Sequence, residues 1–404
     1  MRILHTADWH LGLRLYKREI HEEHQFFFSW LVDLIRERKI DVLLISGDIF
    51  DQANPSNDTR RLYYDFLKEL IHINCRVIIT GGNHDSPGIL NAPKEILGLL
   101  NIHVIGNIPE DQEQAIIELK NEKGELEAVV CAVPYIREPD IHLLTRDEDF
   151  EDKRIQVRTA IRKYYDLMAE ACKNYQVPVI AMGHLYAAGS ETSDSERLIQ
   201  MGNQSPVAME DFSPVFKYVA LGHIHRPQFI AGQKHIRYSG SPVPLSFSER
   251  SDKKILIELD IEDGKIEQVD HPVPLFRKLI RFTGNFEEIK KQVTAYEEDG
   301  PAKAFAELHI MEDSVSPAVY ADAARFVGDW QSGHIDILNH RIGSTMATPR
   351  ITDLIGAETG LKELQPLEVL NKMMEAGNVK PEDQELMRMA FLQLLDMEDE
   401  MEEE

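Results

Sequence analysis

Up to about residue 270 the chain repeats one pattern, a short run of Val, Ile and Leu, then a cluster of Gly, Asp, His or Asn, then a helical periodicity. The runs are Arg2 to Thr6, Val42 to Ser46, Val77 to Thr80, Val129 to Val133, Val179 to Met182 and Tyr218 to Leu221. Such alternation reads as an α/β fold whose strand ends carry ligands. Later runs, Phe229 to Ala231, Ile236 to Ser239, Ile255 to Asp260 and Ile266 to Val269, are joined by short Gly-containing turns. They read as hairpins in a second, more antiparallel sheet.

The pattern restarts from Phe276 to about Asn339 as strand, helix, strand, helix, strand, with Pro272 and Pro274 at the join. This predicts three parts: 1–272, a small α/β unit at 273–343, and a linker with terminal helices at 344–404. The two tail helices are expected near Pro366 to Ala376 and Pro381 to Met397, each with Pro in its first turn. Leu367, Leu370, Met373 and Met374 keep helical spacing, as do Leu386, Ala390, Phe391, Leu394 and Leu395. Each stripe needs a cover, either this chain or a partner.

Composition narrows the class. With 404 residues and 43% apolar content the chain can bury a sizeable core in two or three domains. No segment reads as a membrane span or signal peptide, and Cys75, Cys131 and Cys172 lack metal or disulfide spacing. A cytoplasmic protein with buried free thiols is expected. The net charge of −25 argues against nonspecific coating of nucleic acid, which Lys and Arg drive. Much of that charge is local, since residues 362–404 hold 13 acids against 4 bases. Divalent cations would also reverse the sign of a carboxylate-rich cleft.

Five clusters follow predicted strands: Asp8-Trp9-His10, Gly47-Asp48, Gly82-Asn83-His84-Asp85, Gly183-His184 and Gly222-His223-Ile224-His225. Loops leaving neighbouring parallel strands open on one sheet edge, so these side chains can converge across more than two hundred residues. Imidazole with carboxylate and amide oxygen, and no thiolate, suits Mn²⁺, Fe²⁺ or Zn²⁺ in a catalytic setting. Asp8, His10, Asp48, Asn83, His184, His223 and His225 are too many ligands for one tetrahedral ion. They suit two ions sharing a carboxylate, and Asp48 is assigned as the bridge. Paired ions roughly 3.5–4 Å apart can clamp the attacking and leaving oxygens of a phosphoryl displacement.

In that order the clusters resemble the calcineurin-like metallophosphoesterase superfamily, whose signature is D-x-H, G-D, G-N-H-[DE], G-H and G-H-x-H. The resemblance implies a four-layer sandwich of two sheets flanked by helices. It places one ion on Asp8, His10, Asp48 and His225 and the other on Asp48, Asn83, His184 and His223. It also has His84 bind the scissile phosphate or protonate the leaving oxygen, with Asp85 orienting it.

The flanking residues Ala7 to Gly12, Ser46 to Asp51, Leu221 to His225 and Arg237 to Pro242 are similar to the SbcD nucleases within that superfamily. That narrower resemblance implies two Mn²⁺, with Mg²⁺, Fe²⁺ or Zn²⁺ able to replace them. It further implies exonuclease and endonuclease cleavage of DNA ends and hairpins in repair, recombination and replication, at the nucleoid. The partner is the SbcC ATPase in a heterotetramer, held by the tail helices, and residues 273–343 form a capping domain for DNA recognition. A homodimer stays open. Asp51 stands where distant double-strand-break repair relatives carry a histidine that helps set end processing. The alternative is a metallophosphoesterase acting on a small phosphodiester or a phosphoprotein, since the ions do the same chemistry for each.

Several residues have plainer readings beside these. His5 sits inside the first strand and reads as packing rather than ligation. Arg14, Lys17, Arg18, Arg60 and Arg61 could meet phosphates or form solvated faces, and Ser239 to Phe247 could wall the cleft or be a hairpin end. No G-x-x-x-x-G-K-[ST] occurs, so an ATPase function would belong to a partner.

Overall fold

The computed structural model describes residues 1–192, 206–297, 300–313, 315–345, 367, 370–371, 373–374 and 384–392. Strand β1 (Arg2–Thr6) is followed by a small hairpin, β2 (Arg14–Leu15) and β3 (Arg18–Glu19), and by helix α1 (His21–Arg38). Strand β4 (Val42–Ser46), helix α2 (Asn57–His72) and strand β5 (Arg76–Thr80) continue the alternation. Two short helices, α3 (Pro87–Asn91) and α4 (Lys94–Gly98), lead to β6 (Ile102–Ile105). Next come β7 (Ile116–Lys120), β8 (Leu126–Cys131), α5 (Glu138–Leu144), α6 (Lys153–Cys172), β9 (Val179–His184) and β10 (Phe216–Gly222). Two hairpins follow, β11 (Gln228–Ile230) with β12 (Gln233–Tyr238) and β13 (Ile255–Glu262) with β14 (Lys265–Pro272).

Two six-stranded sheets result, ordered β14-β13-β1-β4-β5-β6 and β11-β12-β10-β9-β8-β7. Successive strand side chains point to opposite faces, and every strand of the central runs needs cover on both. In β4, Val42 and Leu44 enter an apolar layer shared with Val130, Ile180, Met182 and Ala220 of the other sheet. Its alternate residues Leu43 and Ile45 pack instead among Phe27, Leu31 of α1 and Phe66, Leu70 of α2. In the other sheet, Val129, Ala181 and Val219 face outward against Ala160, Tyr164 and Met168 of α6. The layers therefore run helix, sheet, sheet, helix, as the family resemblance implies.

The late hairpins do not form a sheet of their own, and this corrects the sequence expectation. β12 runs parallel to β10 and extends one sheet, while β13 pairs antiparallel with β1 and extends the other. The reason is apolar coverage. Ile255, Ile257, Leu259 and Ile261 of β13 all belong to the apolar layer between the sheets, which a separate hairpin would leave exposed. β14 carries Lys, Glu, Gln and Asp at mostly half-exposed or exposed positions and suits the edge. β6 and β7 were not anticipated at all.

A third sheet, ordered β15 (Leu279–Gly284), β16 (Ala304–Glu312), β17 (Ile335–Ser344), carries the helices Phe286–Thr294 and Pro317–Asp329 between its strands. The strand, helix, strand, helix, strand order is the one expected. Compact units divide within these strands: Met1–Arg281, Tyr296–Glu307 and Gln331–Asn339 form one, and Phe282–Ala295, Leu308–Trp330 and His340–Glu404 the other. In the second unit Phe286 and Phe326 meet edge to face at 5.8 Å. Of the tail stripes, the described residues Leu367, Leu370, Met373 and Met374 are helical, as are 384–392; Leu394 and Leu395 lie outside the described residues. Among the described residues no helix is long and apolar enough to cross a membrane.

Candidate metal centre

The five clusters leave the C-terminal ends of β1, β4, β5, β9 and β10. β1, β4 and β5 are successive parallel neighbours in one sheet, and β9 and β10 are parallel neighbours in the other. All the predicted site residues lie in the first unit and converge. Asp8, His10 and His225 bring potential ligand atoms within 4.8 Å of one another. Asp48, His184 and His223 do the same, and so do His10, Asp48 and His84. Asp48 joins the groups, with Oδ2 3.2 Å from His184 Nε2 and 3.5 Å from His10 Nε2. Asn83 Oδ1 lies 2.8 Å from His184 Nε2 and 3.0 Å from His223 Nδ1.

The donor chemistry fits a cation. His184 Nδ1 donates to the Ser46 carbonyl at 2.9 Å, which leaves Nε2 facing two oxygens, Asn83 Oδ1 and Asp48 Oδ2, an arrangement that calls for a proton or a cation between them. Buried Asp8 Oδ2 and His10 Nε2 have no hydrogen-bond partner. Leaving such atoms unpaired costs about 1–3 kcal/mol each, which a bound ion would offset.

Electrostatics point the same way. Burial pushes the Asp8 carboxyl up to about 6 against the pull of His184 and His225. Burial alone would lower His184, but the Asp48 and Asp8 carboxylates outweigh it and raise the imidazole to about 9. His223 is lowered to about 3 by burial and by the His184 charge. Asp48, although buried, is held well below the usual carboxylate range by His184, His10 and His84. The cleft thus favours positive charge beside its carboxylates.

The backbone is bent to make this arrangement. Asp8, His10, Asp48 and His223 have φ of 53°, 46°, 50° and 101°, in the left-handed region that costs non-glycine residues about 1–3 kcal/mol. Hydrogen bonds hold the strained loops: Asp8 N to Gly47 O at 3.1 Å, His10 N to Asp48 O at 3.0 Å and His223 N to Asp8 Oδ1 at 2.8 Å. Gly82 and Gly222 are among the glycines required by contact. A Cβ on Gly82 would strike the Asp48 carboxylate and amide, and one on Gly222 would strike the Ser46 carbonyl.

His84 and Asp85 sit differently. His84 Nδ1 donates to the Asp51 carbonyl at 2.7 Å, and its backbone N–H donates to Asp48 Oδ1 at 2.9 Å. Asp85 is buried and accepts from the amides of Ile49, Phe50 and Gly82 at 2.9–3.1 Å, tying the second and third loops together. Burial, with the Asp48 charge, pushes its carboxyl up to about 6. His5 lies between the sheets with Nδ1 3.1 Å from the Tyr218 hydroxyl, a packing role as expected.

Several supporting residues carried no sequence signal. His24 on α1 donates Nε2 to the Trp9 carbonyl at 2.6 Å, between the two ligands of the first loop. Arg137, after β8, donates to the carbonyls of Gly82 and Asp85 at 2.8 and 2.6 Å, bracing the third. Glu249 and Lys254 back His225. Each is a lone residue on an unremarkable helix or turn, so nothing short of the fold could single it out.

This fold and this oxygen-and-imidazole centre define a metal-dependent phosphoesterase, and residues 1–227 match the family described as calcineurin-like phosphoesterase. The chain is also 36% identical over 301 residues to the SbcD subunit of nuclease SbcCD from Escherichia coli (strain K12), covering 72% of this chain and 73% of that one. The corresponding protein of Rhodobacter capsulatus is 36% identical over 305 residues, covering 72% and 74%. That of Bacillus subtilis (strain 168) is 36% identical over 269 residues, covering 66% and 67%. The chain belongs to the SbcD family of nucleases, within the calcineurin-like phosphoesterases.

Proposed function

We propose that the chain is a two-ion DNA nuclease that hydrolyses phosphodiester bonds at DNA ends and hairpins with Mn²⁺ as its working metal. The observation that carries the reading is the position of Asp48 Oδ2 between His10 Nε2 and His184 Nε2, where a bridging carboxylate would stand. Asp8, His10, Asp48 and His225 would hold one ion, and Asp48, Asn83, His184 and His223 the other. Bound there, divalent ions would supply Lewis-acid charge to the phosphoryl oxygens and make water a stronger nucleophile at neutral pH. The chain's own residues do the rest. The Asp51 carbonyl fixes His84 through Nδ1, which turns the opposite edge of the ring to bind the scissile phosphate and protonate the leaving oxygen. His10 packs edge-on to His84 at 4.7 Å and keeps it beside the centre. Asp85 acts on His84 by holding the loop that carries it, and Arg137 and His24 hold their loops by backbone carbonyls.

The relatives are named as the SbcD half of SbcCD, which supports an SbcC-type ATPase as partner, in a heterotetramer. Residues 273–343 serve as the capping part. The tail helix meets the partner, since Leu386, Met387, Met389 and Leu392 expose apolar surface along 384–392. Ile96 and Leu99, 68% and 86% exposed at α4, with half-covered Leu100, support self-association into a homodimer. Incubating the purified chain with end-labelled linear and hairpin DNA in Mn²⁺ tests the reading. Metal-dependent shortening and hairpin opening are expected. Inert DNA beside rapid hydrolysis of a small phosphodiester would replace the nuclease reading with a small-substrate esterase.

A further inference from the structure

Behind the two ligand groups the structure is unequal. His10 Nδ1 faces Asp51 Oδ1 at 3.3 Å, and His225 Nδ1 faces Glu249 Oε1 at 3.5 Å. Both rings of the Asp8, His10, His225 group are therefore backed by carboxylates. In the other group His184 Nδ1 donates to a neutral backbone carbonyl, that of Ser46, with the Asp8 carboxylate farther off at 3.8 Å, and buried His223 Nε2 has neither a hydrogen bond nor a carboxylate beside it, whereas His10 Nδ1, also without a hydrogen bond, has the Asp51 carboxylate. The oxygen ligand particular to each group differs in the same sense, with charged Asp8 on one side and the neutral Asn83 amide on the other.

Glu249 belongs to a built arrangement. It is wholly buried, and Lys254 is buried against it. Lys254 Nζ donates to Glu249 Oε2, to Ser241 Oγ at 2.8 Å and to the His225 carbonyl at 3.0 Å, which uses all three of its N–H bonds. Leu245 N donates to Glu249 Oε2 at 3.2 Å. Lys254 thus occupies the far oxygen and leaves Oε1 to the histidine ring. The turn between them is set by Gly240, where a Cβ would strike the His225 carbonyl and Pro227. A buried ion pair generally stabilises a fold no better than apolar residues of similar volume. Its presence here, with both partners on the same histidine, is accounted for by its effect on that histidine. A carboxylate that accepts the distal N–H of a ligand histidine fixes the ring's tautomer and raises the basicity of the ligating nitrogen.

We propose that Asp51 and Glu249 make the two ion sites unequal, so that the Asp8, His10, His225 group takes a divalent cation more tightly and first, the Asn83, His184, His223 group second. Asp51 and Glu249 are positioning residues that act through His10 and His225. The inference rests on the two-ion reading of the centre.

Calorimetric titration of the chelator-stripped full chain with Mn²⁺, followed in parallel by the Mn²⁺ paramagnetic resonance signal, reads the sites separately from activity. Two steps of different affinity are expected in the wild type. Asp51→Asn and Glu249→Gln should each weaken the tighter step by about 10–100-fold, the range for supporting partners of metal ligands, with the weaker step little changed. Asn83→Ala should do the reverse. Because Glu249→Gln leaves Lys254 charged and uncompensated, the double variant Glu249→Gln/Lys254→Met repeats the test with both charges removed. Thermal unfolding in chelator confirms that each variant is folded. Equal steps in the wild type, or equal weakening of both steps by Asp51→Asn and the double variant, would overturn the inequality. Asp48→Ala distinguishes the deeper failure, since two ions still bound there would contradict the two-ion centre itself.

Discussion

The middle of the two sheets and their ligand-bearing edge follow opposite rules within a few residues of each other. In β4, Val42 to Ile45 are extended, apolar and dry, each packed on the side its alternation assigns. Three residues later Asp48 is buried, charged and left-handed in φ. The same change happens between Leu4 and Asp8, and between Leu221 and His223. The lesson is that the interior of this fold is built for stability and its edge for cation binding. The strain and unpaired donors at the edge persist because the interior holds the strand ends in place. Changes at the edge should therefore alter chemistry more than folding, and changes in the interior the reverse.

The largest effect expected at the edge is that of Asp48→Ala, which removes the carboxylate shared by both groups and should abolish cleavage of labelled DNA in Mn²⁺ while the chain stays folded. Activity near wild type would erase the distinction at its strongest point. His84→Gln should slow cleavage by about 10²–10⁴-fold, the usual contribution of a positioned proton donor, with metal affinity unchanged. Loss of metal in this variant would make His84 a ligand. Interior changes reverse the pattern. Ile180→Ala, between the sheets, should lower the unfolding free energy by about 2–5 kcal/mol in urea while the folded fraction keeps its turnover. A matching fall in turnover per folded molecule would mean that the layers are not separable in function.

The smallest effect concerns a polar group placed in the interior. His5, between Tyr218 and Arg237, is lowered to about 3, by burial first and by the Arg237 charge second. Its folded value lies below the unfolded one, so between those values the unfolded chain binds the extra proton. Stability is lost as the pH falls through about 6.5 towards 3. At about 1.4 kcal/mol per unit, acidification from pH 7 to pH 5 should cost about 2 kcal/mol through this residue. In chelator, His5→Phe should show that much less loss over the same range. An identical loss in the variant would mean that His5 is protonated inside the fold.

Much of this contrast was legible in the sequence, because each apolar run stops where a Gly, Asp, His or Asn cluster begins. The order of the five clusters pointed to the centre, and the spacing of β1, β4, β5, β9 and β10 to the strands behind it. Other features were not legible, for physical reasons. β13 and β14 read as a separate hairpin because sequence alternation shows which faces are apolar and not which strand lies alongside. β6 is only four residues, Ile102–Ile105, with His103 interrupting it, too short to give a period. Glu249, Lys254, Arg137 and His24 reach the site loops through polar contacts across 15 to 55 residues, and a single polar residue has no pattern.

The claim on which the rest depends is that five loops build one centre for two ions with Asp48 between them. It is tested most directly by metal stoichiometry, measured by Mn²⁺ titration of the chelator-stripped wild type beside folded Asp48→Ala. The account predicts two ions per wild-type chain and loss of both sites in the variant. Two ions retained by Asp48→Ala, or a single ion in the wild type, would contradict it.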